Sequence, residues 1–247
     1  VEKGLQQAHN PLEVTMFRTV ILATTLTASA AVAPAALATP TPSPGAGTTQ
    51  ALERLQQAGS SAIARRQTTI TTATNAVTRH DSITDADRAP LIDALTRTSD
   101  GLDAVGHELA ADTTTEDART DYSAIFTDYR VYALVVPQVH LAAAADAITG
   151  TVVPKLEDAQ QKLEGALAAE PDKNTADVKA AMSDLTTRLS DIGEATSGLS
   201  ASVLAVTPEQ FNANHAVLAE PRARLRTARA DVASALRDIR TAAKALR

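Results

Sequence analysis

Apolar residues recur along most of this chain at alternating steps of three and four, the spacing that gathers side chains on one face of a helix. Leu91, Leu95, Thr98, Leu102, Val105 and Leu109 form one series, and Val178, Met182, Leu185, Leu189, Ile192, Thr196, Leu199 and Val203 form a longer one. Ile63, Ile70 and Val77 stand seven apart, and Leu141, Ala145, Ile148, Val152, Leu156, Ala159 and Leu163 line another face. A last series runs Leu225, Ala228, Val232, Leu236, Ile239, Ala243, Leu246. No segment alternates apolar and polar residues for long enough to make a sheet. Thr84-Asp85-Ala86-Asp87 and Thr207-Pro208-Glu209-Gln210 read as capped helix starts. Residues 80–82, 112–115 and 170–175 read as connections.

The pattern predicts helices near 50–79, 85–110, 116–134, 138–169, 175–204 and 208–246, with Pro221 kinking or breaking the last. The weakest stretch is 68–78, where threonine lowers helix propensity and only Ile70 and Val77 hold the heptad. A 3.5-residue repeat packs helices side by side at a shallow angle, and most of these rods would be about 37–47 Å long. The expected fold is all-α, an elongated antiparallel helical bundle of four to six long heptad-patterned helices. The alternative is two tandem three-helix bundles joined near residue 137. Pro137 follows two valines and disfavours helical geometry in the residue before it, so "VYALVVPQV" reads as a junction.

Beside that junction lies most of the chain's aromatic content. Tyr122, Phe126, Tyr129 and Tyr132 fall within eleven residues, the first three at i, i+4, i+7 with Ile125 flanking them. A stripe of this kind is expected to supply core bulk beneath the junction. Its functional alternative is a pocket between helices for an apolar small molecule, lined by Tyr122, Phe126, Tyr129, Tyr132 and His140.

The stretch "YRVYALVVPQVHLAAAAD", residues 129–146, resembles a segment of alanine-rich secreted helical proteins of high-GC Gram-positive bacteria. What the resemblance implies is a signal peptide followed by long helices, with no activity, cofactor or catalytic residue to carry over.

The first residues support export. From Met16 the chain reads as a secretory signal peptide over 16–38: Arg18, an apolar stretch, then Ala36-Leu37-Ala38 as a cleavage signal. A retained anchor is the alternative, since Thr19 to Ala38 carries no charge. Residues 1–15 do not resemble the start of a leader, which suggests Met16 as the true start. Residues 39–49, "TPTPSPGAGTT", form a Pro/Thr/Gly-rich linker expected to be mobile, with the helical domain over 50–247. The 247-residue chain has no cysteine, which removes thiol chemistry and cysteine-based metal sites.

Motifs of catalysis are missing. His107 begins "HELA", but Ala111 stands where a zinc-protease helix needs its second histidine. No phosphate-binding loop and no nucleophile elbow is present. Asp146, alone inside "LAAAADAI", is expected to pair with an arginine. No enzyme activity, cofactor or metal is therefore expected.

Charge adds one asymmetry. Residues 219–247 hold eight cations against Glu220, Asp231 and Asp238, net +5, while residues 39–218 carry −11. Arg222, Arg226, Arg229, Arg237, Arg240, Lys244 and Arg247 keep nearly the period of the seam beside them, and Ala233 fills the one skipped place. If acidic helices meet this edge it is internal, the outcome the pattern favours. Otherwise it is a contact for anionic envelope material.

The function expected is that of a secreted or cell-envelope binding and structural module. A carrier of an apolar small molecule at the aromatic cluster is the alternative. Partners would be an anionic cell-wall polymer or another envelope protein, with no specific nucleic acid and no spanning segment after leader cleavage.

Overall fold

The computed structural model describes residues 46–247, which belong to one compact unit. The expectations for 1–15, for the leader at 16–38 and for linker residues 39–45 concern residues outside those described. Every regular element among the described residues is helical. In chain order these are α1 (Ala46–Thr78), α2 (Asp85–Ala111), α3 (Thr115–Thr127), α4 (Val136–Ala147), α5 (Val153–Ala169), α6 (Ala176–Thr196), α7 (Leu199–Leu204), α8 (Pro208–Ala213) and α9 (Ala219–Ala245). The last four residues assigned to the linker, 46–49, are already in α1.

Local sequence explains most of the starts. Thr84, Thr114 and Thr175 accept from the backbone N–H three residues on, and Thr207 forms a reciprocal capping box with Gln210. The threonine-rich part of α1 stays helical, with the hydroxyls of Thr68, Thr69, Thr72 and Thr78 donating to carbonyls four residues back.

Helix ends are closed by long side chains from elsewhere in the fold. Arg88 reaches the carbonyls of Val77, His80 and Ile83 after α1, and Gln56 those of Leu109 and Asp112 at the end of α2. Arg224 donates to Ala195 and Ser197 after α6, and Gln138 to Val203 and Val206 around α7. Each supplies donors to terminal carbonyls that lack helical partners.

Two sets of helices gather two principal cores. α1, α2 and α3 pack on one another around Ile70, Leu91, Leu95, Leu102, Val105 and Ile125. α5, α6 and α9 pack together, with Leu156, Leu185, Ile192, Leu225 and Ala228 buried between them. The helical run from Val131 to Ala169 touches both. Val131, Val135, Val139 and Ala142 belong to the first core, and Leu134, Ala145 and Ile148 to the second. Thr115–Ala169 accordingly contains a window apolar enough to cross a membrane (mean hydropathy 1.5), with 56% of it buried inside the protein. A helix covered on both faces needs apolar residues all round, which accounts for that composition.

Four expected boundaries move. The helix expected at 116–134 ends at Thr127, because Arg130 takes a left-handed conformation with φ 43°. That break is fastened to α8: Arg130 donates to Asn212 Oδ1 at 2.7 Å, and Asn212 donates to the Thr127 carbonyl at 3.0 Å. The expected junction at Pro137 is therefore seven residues too late, and Pro137 lies inside the run. A wide π turn at Val131–Val135 precedes it, in which the Val136 N–H reaches back five residues to Val131. The same device recurs at Ile148–Val152 before Pro154, and both prolines follow paired valines. A proline has no N–H to give and its ring crowds the preceding turn, so a widened turn accommodates it without ending the helix. The helix expected at 175–204 breaks at Gly198, whose φ of 62° suits glycine, although the apolar series runs on unbroken through Leu199 and Val203. The expected helix 208–246 breaks between Ala213 and Ala219, with Pro221 seated in the first turn of α9.

Candidate functional site

Two regions carry the side chains that the sequence singles out. The aromatic group lies over the flank of α1–α3. Tyr122, Phe126 and Tyr129 are half-buried and packed against the first core, while Tyr132 is 52% exposed, so three of the four add bulk at the edge of that core and none stands at its centre. That place belongs to Ile125, one residue away and fully buried. Tyr122 and Phe126 stack at 5.1 Å, while Tyr129 lies so close to Gly101 of α2 that a methyl there would overlap its ring. Burial, helped by Asp128 and Glu108, raises the Tyr129 pKa above its ordinary value.

Between these rings sits a residue the sequence reading missed. Arg66 of α1 is only 7% exposed, its guanidinium 4.3 Å from the centre of Phe126 and 5.2 Å from that of Tyr132. Nη1 donates to the Ala62 carbonyl at 3.0 Å, no carboxylate among the described residues pairs with it, and Nε is buried without a partner among them. Burial lowers its pKa, and the nearby Tyr132 opposes that shift. The ring faces stand in for a counter-ion, since a desolvated cation over an aromatic face gains about 2 kcal/mol. The signal was present, because Arg66 falls on the seam between Ile63 and Ile70. Its space is the space a ligand would need. His140 is exposed on α4, and the ring pairs among the described residues, Tyr122 with Phe126 and Phe211 with His215, do not include it. Two shallow depressions, of about 440 and 190 Å³, lie elsewhere, on α3 around Arg119 and Asp128 and between α1 and α2 around Thr74 and Ser99. None of the five residues proposed for a pocket lines either.

Asp146 does not meet an arginine. It is 9% exposed on α4, accepts a hydrogen bond from Ser200 Oγ at 3.0 Å, and has no ion-pair partner. Burial pushes its pKa up to about 6, the Ser200 hydrogen bond opposes this, and the charge of Asp87 on α2 adds to it. Among the described residues no three His, Asp or Glu side chains converge as a metal site.

The second region is the outer edge of α9. Arg222, Arg226, Arg229, Arg237, Arg240 and Lys244 of α9, and Arg247 just past its end, are all exposed, and none forms an ion pair with a described residue. The internal edge favoured by the sequence pattern is thus not what the helix presents. At 100° per residue the six on the helix lie within about 80° of arc, over a rise of about 33 Å. The acids of this segment point elsewhere. Asp231 is buried and accepts from Arg188 of α6 at 3.1 Å, and Glu220 pairs with Arg224 at 3.6 Å. Burial, together with Asp184 of α6, raises the pKa of Asp238. Acids face α6 because the buried strip runs Leu225, Ala228, Asp231, Ala235, Ala242, leaving the cations on the side that no described helix covers.

Compared with protein-family models, with curated proteins and with solved structures, the chain matches none.

Proposed function

We propose that this protein is a non-enzymatic module of the cell exterior that attaches to an anionic component of the envelope through the outer edge of α9. In this reading its helices form two three-helix bundles in tandem, α1–α3 and α5, α6 and α9, with α4 shared between them. The observation that carries the proposal is the row of seven exposed cations without ion-pair partners. A cation near an anionic surface contributes about 1 kcal/mol, so several acting together suffice for attachment at low salt. The leader-like sequence at 16–38 supports an exterior location. The guanidinium of Arg66, filling the space among the aromatic rings, supports a module over a carrier.

The test is sedimentation of the protein with isolated cell envelopes at rising salt. Attachment should fall as added salt shortens the screening length from about 10 Å at 0.1 M towards about 3 Å at 1 M. Arg237→Glu with Arg240→Glu should weaken it at least tenfold without changing the melting temperature. Binding that persists in high salt, or in that folded variant, refutes the proposal.

A further inference from the structure

We infer that the edge of α9 takes a single extended phosphate-bearing polyanion lying along the helix, not a flat anionic surface; this rests on the attachment reading above. The row is long and narrow, about 33 Å along the helix by one side chain wide within about 80° of arc, with Arg247 just past the helix end. It is also continuous, because α9 is one uninterrupted helix whose only proline is in its first turn. A thread laid along it meets every cation.

A bilayer fits these features poorly. Helices that lie in a membrane interface bury an apolar face there. The apolar face of α9 is already spent in the core, with Leu225, Ala228, Ala235 and Ala242 buried. Among the described residues the exposed large hydrophobic side chain is Tyr132, which is not on α9. The surroundings matter as well. Residues 46–218 carry a net −11, and α6, which packs along α9, exposes Asp177, Asp184 and Glu194. A flat anionic surface would bring its charges against these acids, whereas a thread touches only the row.

The side-chain chemistry selects phosphate. Six of the seven cations are arginine, whose planar fork engages a phosphate through two parallel hydrogen bonds. A lysine row would serve equally well as a line of point charges. Single-stranded nucleic acid shares the phosphate chemistry, but α9 offers no aromatic side chain on which bases could stack. Recognition is therefore of the phosphate chain alone. Ala233 interrupts the row with a rise of about 12 Å between Arg229 and Arg237. It is exposed, so it can accept an arginine without touching the core.

The experiment measures binding of the full chain to linear inorganic polyphosphate, longer than the row or shorter than half of it, at several salt concentrations. The long chain should bind at least tenfold more tightly. Seven contacts predict a slope of log affinity against log salt of about −5. Ala233→Arg should tighten binding about fivefold. Arg229→Gln with Arg237→Gln should loosen it at least tenfold and bring the slope to about −3.5. Circular dichroism melting establishes that both variants are folded. An oligodeoxythymidylate of equal length should bind no more tightly than polyphosphate. Tighter, salt-resistant binding of the oligonucleotide overturns the inference, as does an Ala233→Arg protein that binds no better. Capture by phosphatidylglycerol vesicles without capture of polyphosphate overturns it too. If envelopes bind through the row while polyphosphate does not, this inference falls and the attachment reading stands. If envelope binding ignores charge reversal, the attachment reading itself falls.

Discussion

Arg66 in α1 and the arginines of α9 sit on helices of similar length, yet they meet opposite environments. Arg66 lies on its helix's apolar seam, 7% exposed, with rings of Phe126 and Tyr132 over its guanidinium. Apart from Arg224, the α9 cations lie on the far side of their seam, exposed and without an ion-pair partner among the described residues. In α1 the next helix along the seam carries aromatic side chains, so a cation there is desolvated and held by ring faces. In α9 the seam is filled by alanine and leucine packed on α6, and the acids on that side take Arg188 and Arg224 as partners. Residue type therefore predicts little here. A cation's position relative to the seam, and what covers that position, decides whether it serves the fold or the surface.

The comparison breaks first at the core beside Arg66. Ile125→Ala should cost about 2–5 kcal/mol, as for other buried aliphatic side chains cut to alanine. Phe126→Ala, half-exposed, should cost clearly less, about 1–2 kcal/mol including the lost cation contact. Chemical denaturation of the two variants decides. Equal costs would place Phe126 in the core after all.

Asp146 sharpens it from the acidic side, as a buried charge with neither a ring nor a base beside it. Its folded pKa of about 6 lies above the ordinary 3.8, so the folded state binds the proton more tightly. The stability this contributes is present at low pH and lost as pH rises through about 6. Asp146→Asn should therefore stabilise the protein by about 1–3 kcal/mol at pH 8 and by almost nothing at pH 4, measured by melting at both. A benefit that does not depend on pH would show that Asp146 is not held in this way.

Arg66 itself comes next. Arg66→Ala should destabilise by about 1–2 kcal/mol through lost packing and ring contact. Arg66→Met keeps a stem of similar length without the charge that burial penalises, so its melting temperature should equal or exceed that of the original. A loss in Arg66→Met as large as in Arg66→Ala would mean that the charge, not the stem, carries the contribution.

The smallest expected change is at the surface. Arg226→Ala should alter stability by no more than about 0.5 kcal/mol while weakening envelope attachment, the reverse of the Arg66 variants, which should leave attachment intact. A larger loss of stability in Arg226→Ala would reveal a partner that its exposed position does not show.

The places where the sequence was read correctly share a cause. Thr84 and Thr207 start helices because a hydroxyl and the N–H three residues on are enough to define a cap. Leu91 to Leu109 and Val178 to Val203 are buried or half-buried where the heptad puts them. The misread places depend on partners far along the chain. The break at Arg130 is fastened by Asn212, and the junction expected at Pro137 is absorbed by a π turn between two cores. Arg66 was legible in principle, since its spacing from Ile63 and Ile70 puts it on the seam. Only the rings that arrive from α3 and the following turn explain why an arginine is tolerated there.

The sequence by itself determined that the described chain is helical, where several helices begin, and that all the α9 cations but Arg224 share one side. All three follow from periodicity and capping, which act over a turn or two of backbone. The tertiary structure alone decided that Val131 to Ala169 is shared by two cores, that Asp146 has a serine and not an arginine for a partner, and that no described helix covers the α9 edge. Those outcomes turn on which surfaces meet across tens of residues. A cation's desolvation, its counter-charges and its exposure are properties of that meeting, and no local spacing encodes them.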